Sequence, residues 1–205
     1  MIFHDVGLIG YTEALQMQER LVLEVQQGGE EALLLLEHPA VYTIGAGGDS
    51  GNLLDAGIEA LRVNRGGDVT YHGPGQLVCY PILDLAQRGR DLHRYLRFLE
   101  LFLLEICTTL GVAGFTVAGR TGVWTAQGKL ASIGVGVRRW VSMHGFSLNV
   151  SPDTSPFERI NPCGMPRCPI TTLSLERQAE LAVPDVTELV RNSFEQLLDL
   201  HLPRS

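Results

Sequence analysis

The strand-like segments of this sequence come in runs, which argues against a doubly wound parallel sheet, where strands and helices alternate strictly. Ile2 to Val6 reads as a first strand, and an amphipathic helix over Glu13 to Gln27 stops at Gly28 and Gly29. "EALLLLEHP" and "VYTIG" read as short strands separated by Pro39, followed by a glycine-rich loop from Gly45 to Gly51 and a strand near Leu61 to Asn64. After "RGGDVTYHGPGQ", read as a loop, "LVCYPIL" has the apolar character of a buried strand. One clear helix interrupts the strands. Asp91 caps it, Leu92, Leu96, Leu99, Leu103, Ile106 and Leu110 recur at three- and four-residue steps, and Gly111 ends it. Strands resume at Gly122 to Thr125, Leu130 to Val137 and Trp140 to Val150. A proline-rich loop from Ser151 to Cys168 precedes a final helix that opens with an Asp185-to-Glu188 capping-box spacing. The expectation is one α/β (α+β) domain over residues 1–205, with a mixed, largely antiparallel central sheet flanked by helices.

Several classes of function are disfavoured by composition. A net charge of −7 and a pI near 5.3 argue against nucleic acid as the main partner, because phosphate contacts need a basic face. The apolar stretch Leu101 to Val117 is broken by Glu105 and falls short of the roughly 20 residues a membrane span needs. The start "MIFHDVGLIG" lacks a basic segment leading into an apolar one, so no signal peptide is expected. Cys79, Cys107, Cys163 and Cys168, without a secretion signal, indicate reduced thiols in the cytoplasm. Cys163 and Cys168 lack the His or Cys partners of a familiar zinc pattern, so no metal is expected.

Lys129 is the only lysine, beside fifteen arginines. A guanidinium keeps its proton in a protein, whereas a desolvated lysine can act as a base. Lys129 opens the apolar or small stretch "LASIGVGV", which would pack its stem and desolvate its amine. An edge-strand lysine reaching solvent is the competing reading. In "INPCGMP", Pro162 and Pro166 forbid regular structure and Gly164 permits a tight turn, so Cys163 sits in a rigid loop that could present it to a substrate. Cys79 and Cys107 lie among core-type residues and read as packing, while Cys168 reads as a resolving or structural thiol. Residues Arg65 to Gln76 hold four glycines that let a ligand approach the backbone, but match neither the Walker loop nor the dinucleotide fingerprint. His72 and His144 each precede a glycine and could either orient a thiol or be hydrogen-bonded core histidines.

Taken in order, "EHPAVYTIG", "RGGDVTYHGPGQLVCYPIL", "GVW", "GKLASIGVGVRRWVSMHGFSLNV" and "INPCGMP" resemble the lipoyl(octanoyl) transferase family. The resemblance covers most of residues 37–166. It implies a fold similar to the catalytic domain of biotin and lipoate protein ligases, and an acyltransferase that uses a Cys/Lys dyad and no cofactor. On this resemblance Cys163 is the acyl-thioester nucleophile, and Lys129 lowers its pKa and moves protons. The acyl-substrate segments correspond to Arg65, Gly66, Gly67, Asp68, Val69, Thr70, Tyr71 and His72, to Ser132, Ile133 and Gly134, and to Gly145, Phe146 and Ser147, with His144 beside them. The donor implied is octanoyl-acyl carrier protein. The acceptors implied are lipoyl domains of 2-oxoacid dehydrogenase E2 subunits and the glycine cleavage H protein. Cys168 and the "ITTL" segment depart from the family pattern.

An ATP-dependent lipoate or octanoate ligase shares the implied fold, but needs no nucleophilic cysteine. A non-catalytic carrier- or lipoyl-domain-binding module and a cysteine hydrolase are further alternatives. Because the carrier is acidic, a docking patch is expected among Arg65, Arg88, Arg90, Arg94, Arg138 and Arg139.

Overall fold

Leu33, Leu34, Leu35 and Leu36 form an unbroken apolar run because the strand they build is covered on both faces. In the computed structural model, which describes residues 1–204, that strand lies inside a seven-stranded sheet. The chain runs through β1 (Ile2–Leu8), α1 (Tyr11–Gln26), β2 (Ala32–Glu37), β3 (Val41–Ile44), β4 (Ala60–Arg62), β5 (Val69–His72), β6 (Gln76–Ile82) and α2 (Leu92–Thr109). It continues through β7 (Phe115–Val117), β8 (Arg120–Trp124), β9 (Lys129–Arg138), β10 (Val141–Asn149), α3 (Leu173–Arg177) and α4 (Val183–His201). The large sheet has the order β1-β2-β6-β10-β9-β8-β7 and is parallel only between β1 and β2. In a separate three-stranded sheet, β3 stands between β4 and β5. This is the mixed, largely antiparallel arrangement expected from the runs of strands.

Alternation along β2 sends Leu33 and Leu35 to one face, where they share a core with Phe98 and Phe102 of α2 and with Val190 and Phe194 of α4. Leu34 and Leu36 point the other way and pack with Ala14, Val22 and Val25 of α1. Phe194 meets Phe98 and Phe102 edge-on at 5.6 and 5.0 Å. Each such ring stabilises by about 1.5–3 kcal/mol through burial. Asp91 caps α2 by accepting a hydrogen bond from the Arg94 N–H. The buried face of α2 is wider than the leucine stripe, with Tyr95, Phe98, Phe102 and Cys107 joining it, while Leu92 is exposed.

Several boundaries differ from expectation. α1 begins at Tyr11 because Gly10 is still extended and Tyr11 is already buried. The strand expected near Leu61 to Asn64 is β4, which ends at Arg62 because its partner β3 ends at Ile44. "VTYH" is not a loop: it forms β5, paired antiparallel to Val41–Ile44. The short strand β7 was not expected, and it pairs with β8. Asp185 does not cap α4. The helix starts at Val183 after the uncapped Ala182, with Pro184 and Asp185 in its first turn. Among the described residues no helix is long and apolar enough to cross a membrane.

Glu31 and Arg88 form a buried ion pair at 2.6 Å, with side chains only 5% and 2% exposed. Arg88 also donates to the Leu202 carbonyl, and Arg204 donates to Glu31 at 2.9 Å. Arg88 therefore fastens the C-terminal segment and cannot serve in a docking patch. Burial pushes the Glu31 carboxyl up, but hydrogen bonds from Arg88 and Arg204, the Arg88 charge and the Asp84 N–H outweigh it and hold the carboxyl below its usual value. A depressed carboxyl contributes stability above its unfolded value of about 4.3 and loses it as pH falls through the folded value. Glu31→Gln is expected to cost about 3 kcal/mol at pH 7 by leaving Arg88 buried without its counter-charge. Urea unfolding at pH 7 and below pH 4 checks this, because the gap from the parent protein should narrow in acid.

Candidate active site

Lys129 is the first residue of β9 and is 1% exposed. Its backbone is clamped by a neighbouring segment: the Lys129 N–H donates to the Pro169 carbonyl at 2.8 Å, and the Thr171 N–H donates to the Lys129 carbonyl at 3.1 Å. Glu176 Oε1 accepts from the hydroxyls of Thr125 at 2.6 Å and Thr171 at 2.7 Å, tying both flanks of that clamp together. The lysine stem passes over Gly122 of β8, where a Cβ would stand 3.1 Å from Lys129 Cε. A side chain at this glycine of "GVW" would also meet the Ala131 carbonyl oxygen at 2.5 Å, so both the β9 backbone and the lysine stem use the space it leaves. The ammonium lies 5.0 Å from the centroid of the Trp124 ring.

Cys163 lies in a 3₁₀ turn, Pro162–Gly164, with φ 55° and ψ 30°. That left-handed conformation costs a non-glycine residue about 1–3 kcal/mol, so the surroundings must hold it. The Asn161 N–H donates to the Asn52 carbonyl at 2.8 Å, and Asn52 in turn donates to Asp68 at 2.6 Å. Gly164 has φ +69°, a conformation that favours glycine, and a Cβ there would also come within 2.9 Å of Asp68 Oδ2. The two motifs meet here: Lys129 Nζ donates to Cys163 Sγ at 3.0 Å. The solvent-reaching reading of Lys129 is excluded by its burial.

Behind the thiol, the loop preceding β5 folds over β6, β9 and β10 and leaves a narrow, largely apolar slot of about 40 Å³ that ends at Cys163. Of the residues singled out in the sequence, Arg65, Gly66, Gly67, Thr70, His72, Ser132, Ile133, Gly134, His144, Gly145, Phe146 and Ser147 line it. Val69 and Tyr71 do not. Alternation along β5 turns them to the other side, where Tyr71 packs against Tyr42 and Phe157 at 5.0 and 5.5 Å. Asp68 instead faces an outer groove of about 570 Å³, bounded by Leu92, Leu96, Arg120, Lys129, Cys163 and Met165. Tyr11, Val78 and Tyr80 line the slot without having been expected there. A larger depression of about 720 Å³ surrounds Glu31 and Arg88, but it contains neither lysine nor cysteine, so size does not locate the chemistry.

Neither histidine orients the thiol. His144 bonds Asn64 Oδ1 at 2.7 Å, and His72 bonds Gln76 Oε1 at 3.1 Å. Both partners are acceptors, so each ring donates there. Burial, aided by the charge of Arg65, drops His144 to about 4. Burial, His38 and Arg65 together drop His72 to about 3. Both rings are neutral at physiological pH. Cys79 and Cys107 are fully buried, and burial pushes both thiols up, to about 12 for Cys107. Cys168 is part-exposed, and its sulfur points to the Pro169 carbonyl at 3.7 Å. Arg65 is buried under Thr43 and so cannot join a docking patch. Arg90, Arg94, Arg138 and Arg139 are exposed. Among the described residues no cluster of His, Cys, Asp or Glu is placed to hold a metal.

A thiol within hydrogen-bond distance of a buried amine, beside an apolar slot, is an arrangement suited to acyl transfer. Comparison with known proteins agrees. Residues 10–195 match the family described as the lipoyl protein ligase A/B catalytic domain. An octanoyltransferase of Citrifermentans bemidjiense is 76% identical over 204 residues, covering 100% of both chains. In fold, a T. acidophilum protein assigned as a lipoate protein ligase and solved with lipoic acid superposes with TM-score 0.73 at 16% identity, over 98% of this chain and 85% of that one. The biotin protein ligase of Aquifex aeolicus superposes with TM-score 0.59 at 13% identity, over 98% of this chain and 70% of that one. The chain belongs to the lipoyl protein ligase A/B catalytic-domain family and, within it, to the octanoyltransferases.

Proposed function

We propose that Cys163 takes an octanoyl group from octanoyl-acyl carrier protein as a thioester, and passes it to the ε-amine of a lysine on a lipoyl domain. The acceptors are the lipoyl domains of 2-oxoacid dehydrogenase E2 subunits and the glycine cleavage H protein. The observation that carries this reading is the 3.0 Å contact between Lys129 Nζ and Cys163 Sγ at the end of the slot. An amine at that distance is placed to take the thiol proton and so deliver the thiolate, the form that attacks.

The thiolate adds to the carbonyl of the donor thioester, and the carrier thiolate departs after taking a proton from Lys129. The energy of one thioester is kept in the other, so ATP is not needed. Neutral Lys129 then accepts a proton from the incoming ammonium, the free amine attacks the acyl-enzyme, and the Cys163 thiolate leaves. One further proton goes to solvent, which closes the balance of thioester plus ammonium to thiol, amide and proton. The acyl chain occupies the slot, which must widen, since about 40 Å³ holds only a few water-sized spheres. The carrier arm and the acceptor lysine approach by the outer groove, and the acidic carrier docks on exposed arginines drawn from Arg90, Arg94, Arg138 and Arg139. Four free thiols, including the nucleophile, suit the reducing cytoplasm.

The test is intact-mass analysis with peptide mapping after mixing the protein with octanoyl carrier protein and no ATP. The expected product is a hydroxylamine-labile octanoyl adduct on Cys163. No adduct, with transfer to a lipoyl domain only when ATP is added, would make the protein a ligase and Cys163 structural.

A further inference from the structure

Arg65 is 7% exposed, yet none of the ion pairs among the described residues includes it. Its Nε and Nη2 donate to Thr43 Oγ1 at 3.2 and 2.7 Å, Nη2 also to the Thr43 carbonyl at 2.9 Å, and Nη1 to the Gly66 carbonyl at 3.0 Å. A guanidinium has five N–H groups, so one hydrogen on Nη1 is left for a ligand. Nη1 lies 3.5 and 3.7 Å from where Cβ atoms on the slot residues Gly67 and Gly134 would stand, and 2.9 Å from one on Gly45. With His72 and His144 neutral and no lysine in the lining, Arg65 is the slot's one cationic side chain at neutral pH. Arg65 and Cys163 line the same slot, and burial lowers the proton affinity of the guanidinium.

Burying a cation without a counter-ion is costly, and a cation so placed stabilises any anion that forms beside it during function. Resting on the reading of Cys163 as nucleophile, we propose that Arg65 is a permanent cation for the acyl site, holding the Cys163 thiolate and then the oxyanion of each tetrahedral intermediate. Lys129 cannot fill this role throughout, because it gives up its proton when the donor thiolate leaves. In the acyl-enzyme Lys129 is neutral, and Arg65 is the cation left on the slot side to polarise the thioester carbonyl. Its charge also disfavours an ammonium beside it, and so favours the free amine as attacker. Two cations therefore flank one sulfur with different duties, the lysine moving protons and the arginine keeping charge. The other ionisable groups around Cys163 are Asp68, whose oxygens accept from Asp49, Val69 and Asn52, Cys168, Tyr11 and Tyr80 of the slot, and Arg120 across the outer groove.

The experiment compares Arg65→Met, Arg65→Lys and the parent protein in two assays. The first is alkylation of Cys163 by iodoacetamide at pH 7, followed by peptide mapping, which needs no acyl donor. The second is octanoyl transfer from octanoyl carrier protein to a lipoyl domain. The Met variant should alkylate about tenfold more slowly and lose about 100-fold in kcat, with donor KM changed less than about threefold. The Lys variant should recover alkylation to within about threefold of the parent. If both variants behave alike, or the Met variant alkylates as the parent does, Arg65 is structural and the proposal fails. Should Arg65→Met lose its cooperative melt, Lys129→Met keeps the question open to test with Arg65 in place. Cys163 should still alkylate several-fold faster than the same thiols in guanidinium chloride, and an equal or slower rate overturns the proposal. Loss of transfer in the parent protein would instead strike at the transferase reading, leaving the alkylation comparison valid.

Discussion

Cys163→Ser should fold as the parent does and lose roughly 10⁴- to 10⁶-fold in octanoyl transfer, the scale of nucleophile deletion in enzymes that work through a covalent intermediate. The substitution changes one atom. Serine keeps the size of the side chain, tolerates the same left-handed backbone at a similar cost, and still accepts a hydrogen bond from Lys129. A melting temperature within a few degrees of the parent is therefore expected. A hydroxyl, however, is not made into an alkoxide by a neighbouring ammonium, and Lys129 in its charged form cannot serve as the base. The ester it would form is also a poorer acyl donor to an amine than a thioester. Single-turnover assays with octanoyl carrier protein and a lipoyl domain decide the matter. Residual activity within tenfold of the parent would mean that the acyl group reaches the acceptor without passing through residue 163.

The parts of this site that were legible in the sequence are those where one residue type is unusual for its place. A sole lysine among fifteen arginines, followed by small and apolar residues, announces a buried amine. A cysteine between two prolines announces a constrained loop. That these two meet is not legible locally, because 34 positions separate them and the contact depends on residues 169–171 lying against β9. Glu176, which secures that clamp, sits 51 positions from Thr125 and carries no local mark. Asn52 is similarly silent, although it holds both Asp68 and the Asn161 turn.

β5 was missed because glycines on both sides of "VTYH" read as loop punctuation, even though its β-branched and aromatic residues are strand formers. Once it is a strand, the period of two separates Thr70 and His72, which face the slot, from Val69 and Tyr71, which do not. The arginines mark a different limit. Arg65 and Arg88 look like their exposed counterparts in sequence, and only the tertiary fold buries them, one without an ion pair and one with Glu31.

Lys129→Arg should separate two duties that the parent lysine combines. Arginine keeps a positive charge near the sulfur, so Cys163 should still alkylate at pH 7 at no less than about a third of the parent rate. The proton relay is lost, because a guanidinium neither gives up its proton to the departing thiolate nor accepts one from the incoming amine. General acid–base steps contribute about 10²- to 10⁴-fold, so transfer should fall by that amount. The site is tight, with Gly122 under the lysine stem and Trp124 beside the amine, so the larger side chain should also cost about 1–3 kcal/mol of stability. A thermal melt separates that cost from the chemistry, and Lys129→Met supplies the contrast. Met fills the volume without charge, so both thiol reactivity and transfer should fall together. If Lys129→Arg transfers octanoyl at the parent rate, proton movement belongs to another group, and the unique lysine is there for its charge or its shape alone.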